Sequence, residues 1–465
     1  MADTVGDHDC EYLATLDLDG TVEFTESRRE QYGGDASPHE PVTPDAVVEA
    51  ASTADVSAVL AGANERGIPV TPRSGGSGLE GNAVPVAGGI VLDTTRIDHV
   101  DAQPDDLQVR VGPGVVYDDL NERVAQYGLR FAPGISSGDV AMVGGMIANN
   151  ASGFNAVRYG ETGDHVRRLE VVLPDGEVIE CGQEVVKSSS GYNLRDLIVG
   201  SEGTLGVVTE ATLELVGIPE HKRAALVTFP TERDASSAVS EIIRFGVRPG
   251  AIEFVDAPSV ELLNAYSGLG LPEKPTLLLE LHGNNSGIEE DVEFVESVCA
   301  DNRMERWETA DESEMDEIWQ ARRDALPAAR AYREGWEPLV IGDVVVPISK
   351  YPDIVETVSR VADELDILTT CVGHAGDGNL HFTPLGDPQN EAHVAAANEL
   401  NERVVKAAID MGGTATGEHG VGIGKRKFMD REHGAGSVRV MQQIKDAIDP
   451  NGIMNPGKVL PDVES

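Results

Sequence analysis

The chain has 465 residues, 40% of them hydrophobic, which is too long for one ordinary core, so two or three packed units are expected. Its 36 basic and 80 acidic residues give a formal charge of −44, which excludes binding to nucleic acid through phosphates. No apolar run approaches the roughly 20 residues that a membrane helix needs, so no transmembrane segment is expected.

The N-terminus, Met1 to Asp19, is acidic and lacks the basic and apolar regions of a secretory signal. Four scattered cysteines (Cys10, Cys181, Cys299, Cys371) form no CxxC pair, which argues against an iron–sulfur cluster or zinc finger held by this chain. The expected location is the cytoplasm, with peripheral contact to a membrane left open. Nine of the basic residues are lysine and the other 27 arginine, and the acids are spread along the whole chain. Such a surface reads as halophilic: at 1 M salt, screening over about 3 Å weakens the self-repulsion. Docking of a basic partner is the alternative reading.

In chain order, Ser52 or Thr53 is placed to cap a helix with Val56, Val59, Leu60 and Ala63 on one face, and Gly67 to stop it. Ile68 to Val70 reads as a strand that empties into Arg73-Ser74-Gly75-Gly76-Ser77-Gly78-Leu79-Glu80-Gly81-Asn82. Such a loop offers backbone N–H groups without side chains in the way, which is what a pyrophosphate requires. Gly76, Gly78 and Gly81 satisfy G-x-G-x-x-G, but Pro85 and Gly88-Gly89 forbid the helix that a Rossmann unit would open there. Gly89 to Leu92 and Leu107 to Val111 read as strands, and Val116, Leu120, Val124 and Tyr127 stripe a helix. Two more glycine-rich passages follow, Val143 to Gly153 and Val199 to Thr209, suggesting backbone wrapped around one long ligand.

These passages, from about Pro41 to Leu215, resemble the FAD domain of the vanillyl-alcohol-oxidase/PCMH type, in the branch with glycolate oxidase flavin subunits and D-lactate dehydrogenases. The resemblance implies an α+β fold with two subdomains around FAD. Gly75, Gly76, Ser77 and Gly78 would hold the diphosphate, and Arg73, Ser74 and Asn82 would also bind the cofactor. Pro133, Gly144, Gly145, Asn149, Ser152 and Gly153 would line the cofactor, and Gly203 and Val207 would close its adenine side. The glycine-rich loop holds neither His nor Cys, so non-covalent FAD is expected.

Beyond Glu220 the pattern changes. Ala224–Phe229, Ala251–Val255 and Thr276–Leu281 read as strands and Asp234–Phe245 as a helix, suggesting an α+β, ferredoxin-like cap over the flavin. The expected organisation is an N-terminal segment (1–40), an FAD-binding domain (41–219), a cap with the substrate and metal sites (220–430), and a C-terminal segment (431–465) that returns to the FAD domain.

Two motifs stand out in the cap. In His374-Ala375-Gly376-Asp377-Gly378-Asn379-Leu380-His381, the Asp377-Gly378 turn between hydrophobic flanks predicts a hairpin that brings two imidazoles together. Gly417-Glu418-His419-Gly420 follows a helical stretch over Asn390 to Met411. Two imidazoles and a carboxylate suit zinc, with manganese or iron as alternatives, although lone histidines in strands are more often packing residues. The family resemblance extends to both motifs. It implies that His374, His381 and Glu418 bind a divalent metal and that His419 is the general base. It also implies that hydride passes from the α-carbon of a 2-hydroxy acid to flavin N5.

Trp319 to Pro327 resembles the family segment with the substrate-carboxylate arginine, which places that role on Arg322. The 2-hydroxyglutarate branch has a threonine and a lysine where this chain has Leu326 and Ile341, which favours D-lactate or glycolate over a dicarboxylate. A D-2-hydroxyglutarate dehydrogenase and the FAD-binding subunit of a multi-subunit glycolate oxidase are the alternatives. A flavin-free metal-dependent hydrolase would leave the glycine-rich passages unexplained. Near the C-terminus, Pro450 ends a helix and Asn455-Pro456-Gly457 makes a turn; the resemblance puts Asn455 near the flavin ring. With no cluster-binding cysteines, electrons would leave to a quinone, a carrier protein, a separate iron–sulfur subunit or oxygen.

Overall fold

The computed structural model describes residues 8–310, 319–320 and 322–462. The chain forms two compact units, Met1–Ser152 with Glu161–Ile218 and Glu418–Ser465, and Gly153–Gly160 with Pro219–Gly417. The chain returns to the first unit at Glu418, ahead of the division at 430 read from the sequence. The N–H groups of Val421 and Gly422 are bound there by the Glu202 carboxylate. Residues 153–160 belong to the second unit, where Asn155 Nδ2 donates to Gly250 O at 2.7 Å.

Among the described residues, the first unit holds a two-stranded sheet, Leu129–Arg130 with Val216–Gly217, and two larger sheets. One has the order β1-β2-β4-β3, with β1 Thr21–Glu23, β2 Ala46–Glu49, β3 Val70–Arg73 and β4 Ile90–Asp93; β2, β4 and β3 run parallel. Ala46-Val47-Val48 and Ile90-Val91-Leu92 are unbroken apolar runs and fully buried, as parallel strands covered on both faces require. Between β2 and β3, helix α1 (Thr53–Arg66) starts where the Ser52 side chain accepts Asp55 N–H and ends at Gly67, with φ 64°. It buries Val56, Val59, Leu60 and Ala63, the four positions expected from the periodicity.

The other sheet is antiparallel, in the order β5-β6-β9-β7-β8. Its strands are β5 Val100–Gln103, β6 Gln108–Val111, β7 Val166–Val172, β8 Val178–Gly182 and β9 Val207–Glu214. Helices α2 (Tyr117–Ala125) and α3 (Val143–Asn149) connect β6 to β7. Met454 pairs with Val70 in parallel, and Ile453 and Met454 enter the core of the first sheet, so the C-terminal turn is built into this unit.

The second unit is an eight-stranded sheet with helices. Its first part is β10 (His221–Thr228), α4 (Glu232–Arg244), β11 (Ala251–Val255), α5 (Ala257–Ser267), β12 (Thr276–Gly283), α6 (Ile288–Asp301) and β13 (Arg306–Ala310). These strands take the antiparallel order β13-β10-β12-β11, the ferredoxin-like arrangement. Beyond β11 the sheet continues through β15 (Thr369–His374) and β16 (Asn379–Gly386), and β14 (Gly342–Val345) also pairs with β16.

Side chains directly opposite each other in these pairs share a face, and alternate residues along a strand share it too. The register therefore gathers Glu280, Glu253, His374, His381 and Asp343 on one face. Ile252, Phe254, Leu279, Cys371, Leu380 and Phe382 fall on the other, where they are buried.

Candidate active site

In the first unit the three glycine-rich passages and the C-terminal turn converge. A Cβ on Gly75 would meet Val140 O at 2.4 Å, and one on Gly144 would meet Pro113 Cβ at 2.6 Å and Ser74 Oγ at 3.0 Å, so the first two passages pack on each other. The third passage bonds to the end of α3, Gly200 N–H to Ile147 O at 3.0 Å and Glu202 N–H to Ala148 O at 2.8 Å. Asn455 Nδ2 donates to Asn82 O at 3.0 Å and to Glu202 O at 2.7 Å, which ties the C-terminal turn to two of the three passages. Gly145, in the first turn of α3, faces open space: a Cβ there would meet nothing within 4 Å. A convergence of bare backbone beside an open glycine fits a long diphosphate cofactor such as FAD.

Pro133 is buried in the loop after α2, and Val207 is buried at the start of β9. The Arg73 guanidinium is used within the protein, donating to Gly34 O at 2.5 Å and lying 5.4 Å from the Tyr32 ring centroid. Gly153 falls in the second unit.

The Glu418-His419 motif is also held in this unit. Ser152 Oγ donates to Glu418 Oε2 at 3.2 Å, and Asn149 Nδ2 to His419 O at 3.3 Å. Behind it stands Glu202, buried and with φ 53°. It accepts N–H groups from Val421 at 2.6 Å and Gly422 at 2.9 Å, and the Asn82 side chain at 2.6 Å. Burial pushes its carboxyl pKa up, against those three donors, which favour the charged form.

In the second unit, the hairpin expected around Asp377-Gly378 is present. β15 and β16 pair antiparallel, with Val372 opposite His381, and Gly378 turns at φ 87°. The rings of His374 and His381 stand edge to face with centroids 5.2 Å apart, and a ligand nitrogen of each lies within 4.8 Å of the other. Each histidine has a buried carboxylate beside it, both overlooked in the sequence. Glu253 Oε1 is 2.7 Å from His374 Nδ1, and Asp343 Oδ1 is 3.7 Å from His381 Nδ1. Glu253 Oε2 lies 2.7 Å from Nε of Arg322, itself 7% exposed.

Asp343 also accepts Asn379 Nδ2 at 2.6 Å, Thr416 Oγ1 at 3.0 Å and Gly417 N–H at 2.7 Å. Gly417 is the residue before Glu418, so the Glu418 Cα follows at the fixed distance of about 3.8 Å across a trans peptide. Two imidazoles, each with a buried carboxylate beside it, are donors of the kind that fit a divalent metal.

A signal for Glu253 was available, since it is the one acid in the otherwise apolar strand Ala251–Val255 and is fully buried. The same holds for Asp343, at the head of Val344-Val345-Val346.

Residues 44–182 match the family described as FAD binding domain, and residues 218–459 match FAD linked oxidases, C-terminal domain. The chain is 38% identical over 90% of its length to a mitochondrial D-lactate dehydrogenase (cytochrome) of Arabidopsis thaliana, of which it covers 74%. It is 35% identical over 96% of its length to the glycolate oxidase subunit GlcD of Bacillus subtilis, covering 95% of that protein. Among solved structures it resembles p-cresol methylhydroxylase with a TM-score of 0.78 at 17% identity, covering 96% of this chain and 94% of that one. A 4-ethylphenol oxidase from Gulosibacter chungangensis gives 0.78 at 20% identity, covering 95% and 94%. The fold is therefore the α+β, PCMH-type FAD-binding fold expected from the glycine-rich passages, and the chain belongs to the family of FAD-linked oxidases.

Proposed function

We propose that this protein is an FAD-dependent dehydrogenase that oxidises a short D-2-hydroxy acid, D-lactate or glycolate, to the 2-oxo acid. The observation that carries the reading is one carboxylate, Glu253, lying between a buried cation and an imidazole of a His pair. Oxidation of a 2-hydroxy acid can use both chemistries side by side, a cation for its carboxylate and a metal site for its hydroxyl.

His374, His381 and Glu418 hold the divalent metal, with zinc favoured by the N/O donor set. Arg322 takes the substrate carboxylate through the planar guanidinium fork. His419 accepts the hydroxyl proton as general base. The bound ion supplies the charge that lowers the hydroxyl pKa, and the bound FAD, held non-covalently, supplies the hydride acceptor. The backbone cradle and Asn455 orient the cofactor. The apolar Leu326 and Ile341 favour a short monocarboxylate.

The protein works in the cytoplasm and passes electrons to a quinone, a carrier protein or a separate iron–sulfur subunit. No helix among the described residues is long and apolar enough to cross a membrane. A second reading, the flavin-bearing subunit of a multi-subunit glycolate oxidase, is favoured by relatives named as subunits. Turnover of the isolated chain with an artificial acceptor separates the two readings.

Anaerobic titration with glycolate, D-lactate, L-lactate and D-2-hydroxyglutarate tests the activity. D-lactate or glycolate is expected to bleach the flavin bands, and a panel that leaves the flavin oxidised overturns the proposal. His419→Ala is expected to slow reduction by about 10²–10⁴-fold with FAD still bound. Chelation should slow reduction as well, and an unchanged rate after complete metal removal overturns the metal role.

A further inference from the structure

We propose that Glu253 is a positioning residue that sets the tautomer of His374 and the aim of Arg322 together. This rests on the metal and substrate roles proposed above. Glu253 is fully buried in β11, and the register that pairs it with His374 brings the two side chains to the same face. Its two oxygens are divided between two partners, Oε1 at 2.7 Å from His374 Nδ1 and Oε2 at 2.7 Å from Arg322 Nε.

A carboxylate can only accept, so the proton of a neutral His374 sits on Nδ1 and the lone pair on Nε2. Metal coordination through Nε2 follows, with Nδ1–H held by a carboxylate that raises the basicity of the ligand. On the other side, Oε2 forms a close ion pair with Nε of Arg322 at 2.7 Å without hydrogen-bond alignment, while Nη2 is buried and makes no hydrogen bond among the described residues, which leaves it for a substrate carboxylate. The carboxylate also offsets the burial of two groups that carry or share positive charge. Its neighbour on the sheet, Glu280, accepts Trp319 Nε1–H at 2.9 Å, three residues before Arg322. Trp319 and Arg322 are thereby both held to the same sheet face. One carboxylate thus couples the geometry of a metal ligand to that of the substrate clamp.

The test uses full-length, FAD-loaded, metal-stripped protein titrated with Zn²⁺ by calorimetry in about 1 M KCl, which suppresses adventitious binding to surface acids. His381→Ala identifies the histidine-dependent isotherm. Glu253→Gln keeps the side-chain volume and removes the charge, and it is expected to weaken Zn²⁺ binding by about 10–100-fold. Its flavin absorbance should stay close to that of the unmodified protein, while its melting temperature falls because Arg322 loses the buried carboxylate that offsets its charge. Equal Zn²⁺ affinity in Glu253→Gln and the unmodified protein overturns this inference alone. Absence of any histidine-dependent isotherm in the unmodified protein overturns the metal site, and the inference with it.

Should Glu253→Gln fail to fold, ¹⁵N-histidine spectra of the unmodified protein decide the question. Zn²⁺ coordination at His374 Nε2 with a proton on Nδ1 is the expected signature, and coordination at Nδ1 overturns the inference. Substrate titration of the flavin is scored separately, so failure of the activity and failure of the positioning role leave different records.

Discussion

Asp256 shows how a single buried carboxylate ties a helix to the strand that carries a candidate ligand. It caps α5 by accepting Ser259 N–H at 2.8 Å, and its other oxygen accepts Cys371 N–H at 2.8 Å, three residues before His374 on β15. Burial pushes its pKa from 3.8 up to about 7, against those two donors. Because the folded-state pKa lies above the unfolded one, the native state holds the extra proton between about pH 4 and 7. The contribution is complete below the unfolded value and is lost as pH rises through the folded value. The shift corresponds to at most about 4 kcal/mol. Asp256→Asn removes this titration at the cost of one acceptor, about 1–3 kcal/mol. Urea melts are therefore expected to show the variant less stable at about pH 5, with the gap narrowing or reversing by about pH 8.5. Parallel stability profiles would rule the explanation out.

At the level of elements, α3 separates two jobs that neighbouring glycines perform. A Cβ at Gly144 would meet Pro113 Cβ at 2.6 Å, so Gly144→Ala is expected to lower the melting temperature by several degrees by forcing a backbone shift. A side chain at Gly145 enters open space. Gly145→Leu is expected to leave the fold and its melting in the apo state nearly unchanged while abolishing FAD retention, giving a colourless protein with native-like circular dichroism. A yellow Gly145→Leu protein would show that this space is not used by the cofactor.

The helix itself was not legible in the sequence, because two glycines in its first turn carry poor helix propensity and packing decides the conformation. Local signals were legible: Ser52 and Gly67 bracket α1, and Asp377-Gly378 closes the hairpin that pairs the two histidines. For the carboxylates behind the histidines, the sequence shows lone acids in apolar strands but not their partners. Glu253 meets His374, and Asp343 meets His381, only through strand register between segments far apart in the chain, which no local periodicity encodes. Glu202 was hidden for a related reason. It lies inside a glycine-rich passage read for its backbone, yet its side chain holds the turn after His419.

At the scale of the whole molecule, the charge of −44 sets two electrostatic effects against each other. Ion pairs exist, such as the network on the second sheet of the first unit. There Arg110 reaches Glu184 at 2.8 Å and Glu210 at 3.4 Å, and Arg168 reaches Glu210 at 3.5 Å. Exposed pairs of this kind contribute only about 0–1 kcal/mol each, and salt weakens them. With 36 basic residues against 80 acidic ones, most carboxylates have no cation to pair with, and their mutual repulsion opposes the compact state. Repulsion thus outweighs the attraction within the pairs, and screening it should stabilise the fold. The melting temperature is expected to rise by several degrees between about 0.1 and 2 M KCl. Screening and general salting-out differ in form. The Debye length has already shrunk to about 3 Å by 1 M, so a screening gain is concentrated below that concentration, whereas exclusion of salt from the surface keeps adding stability in proportion to concentration. A melting temperature that falls with KCl would place the ion-pair networks above repulsion. A strictly linear rise would assign the effect to burial of apolar surface, with charge playing little part.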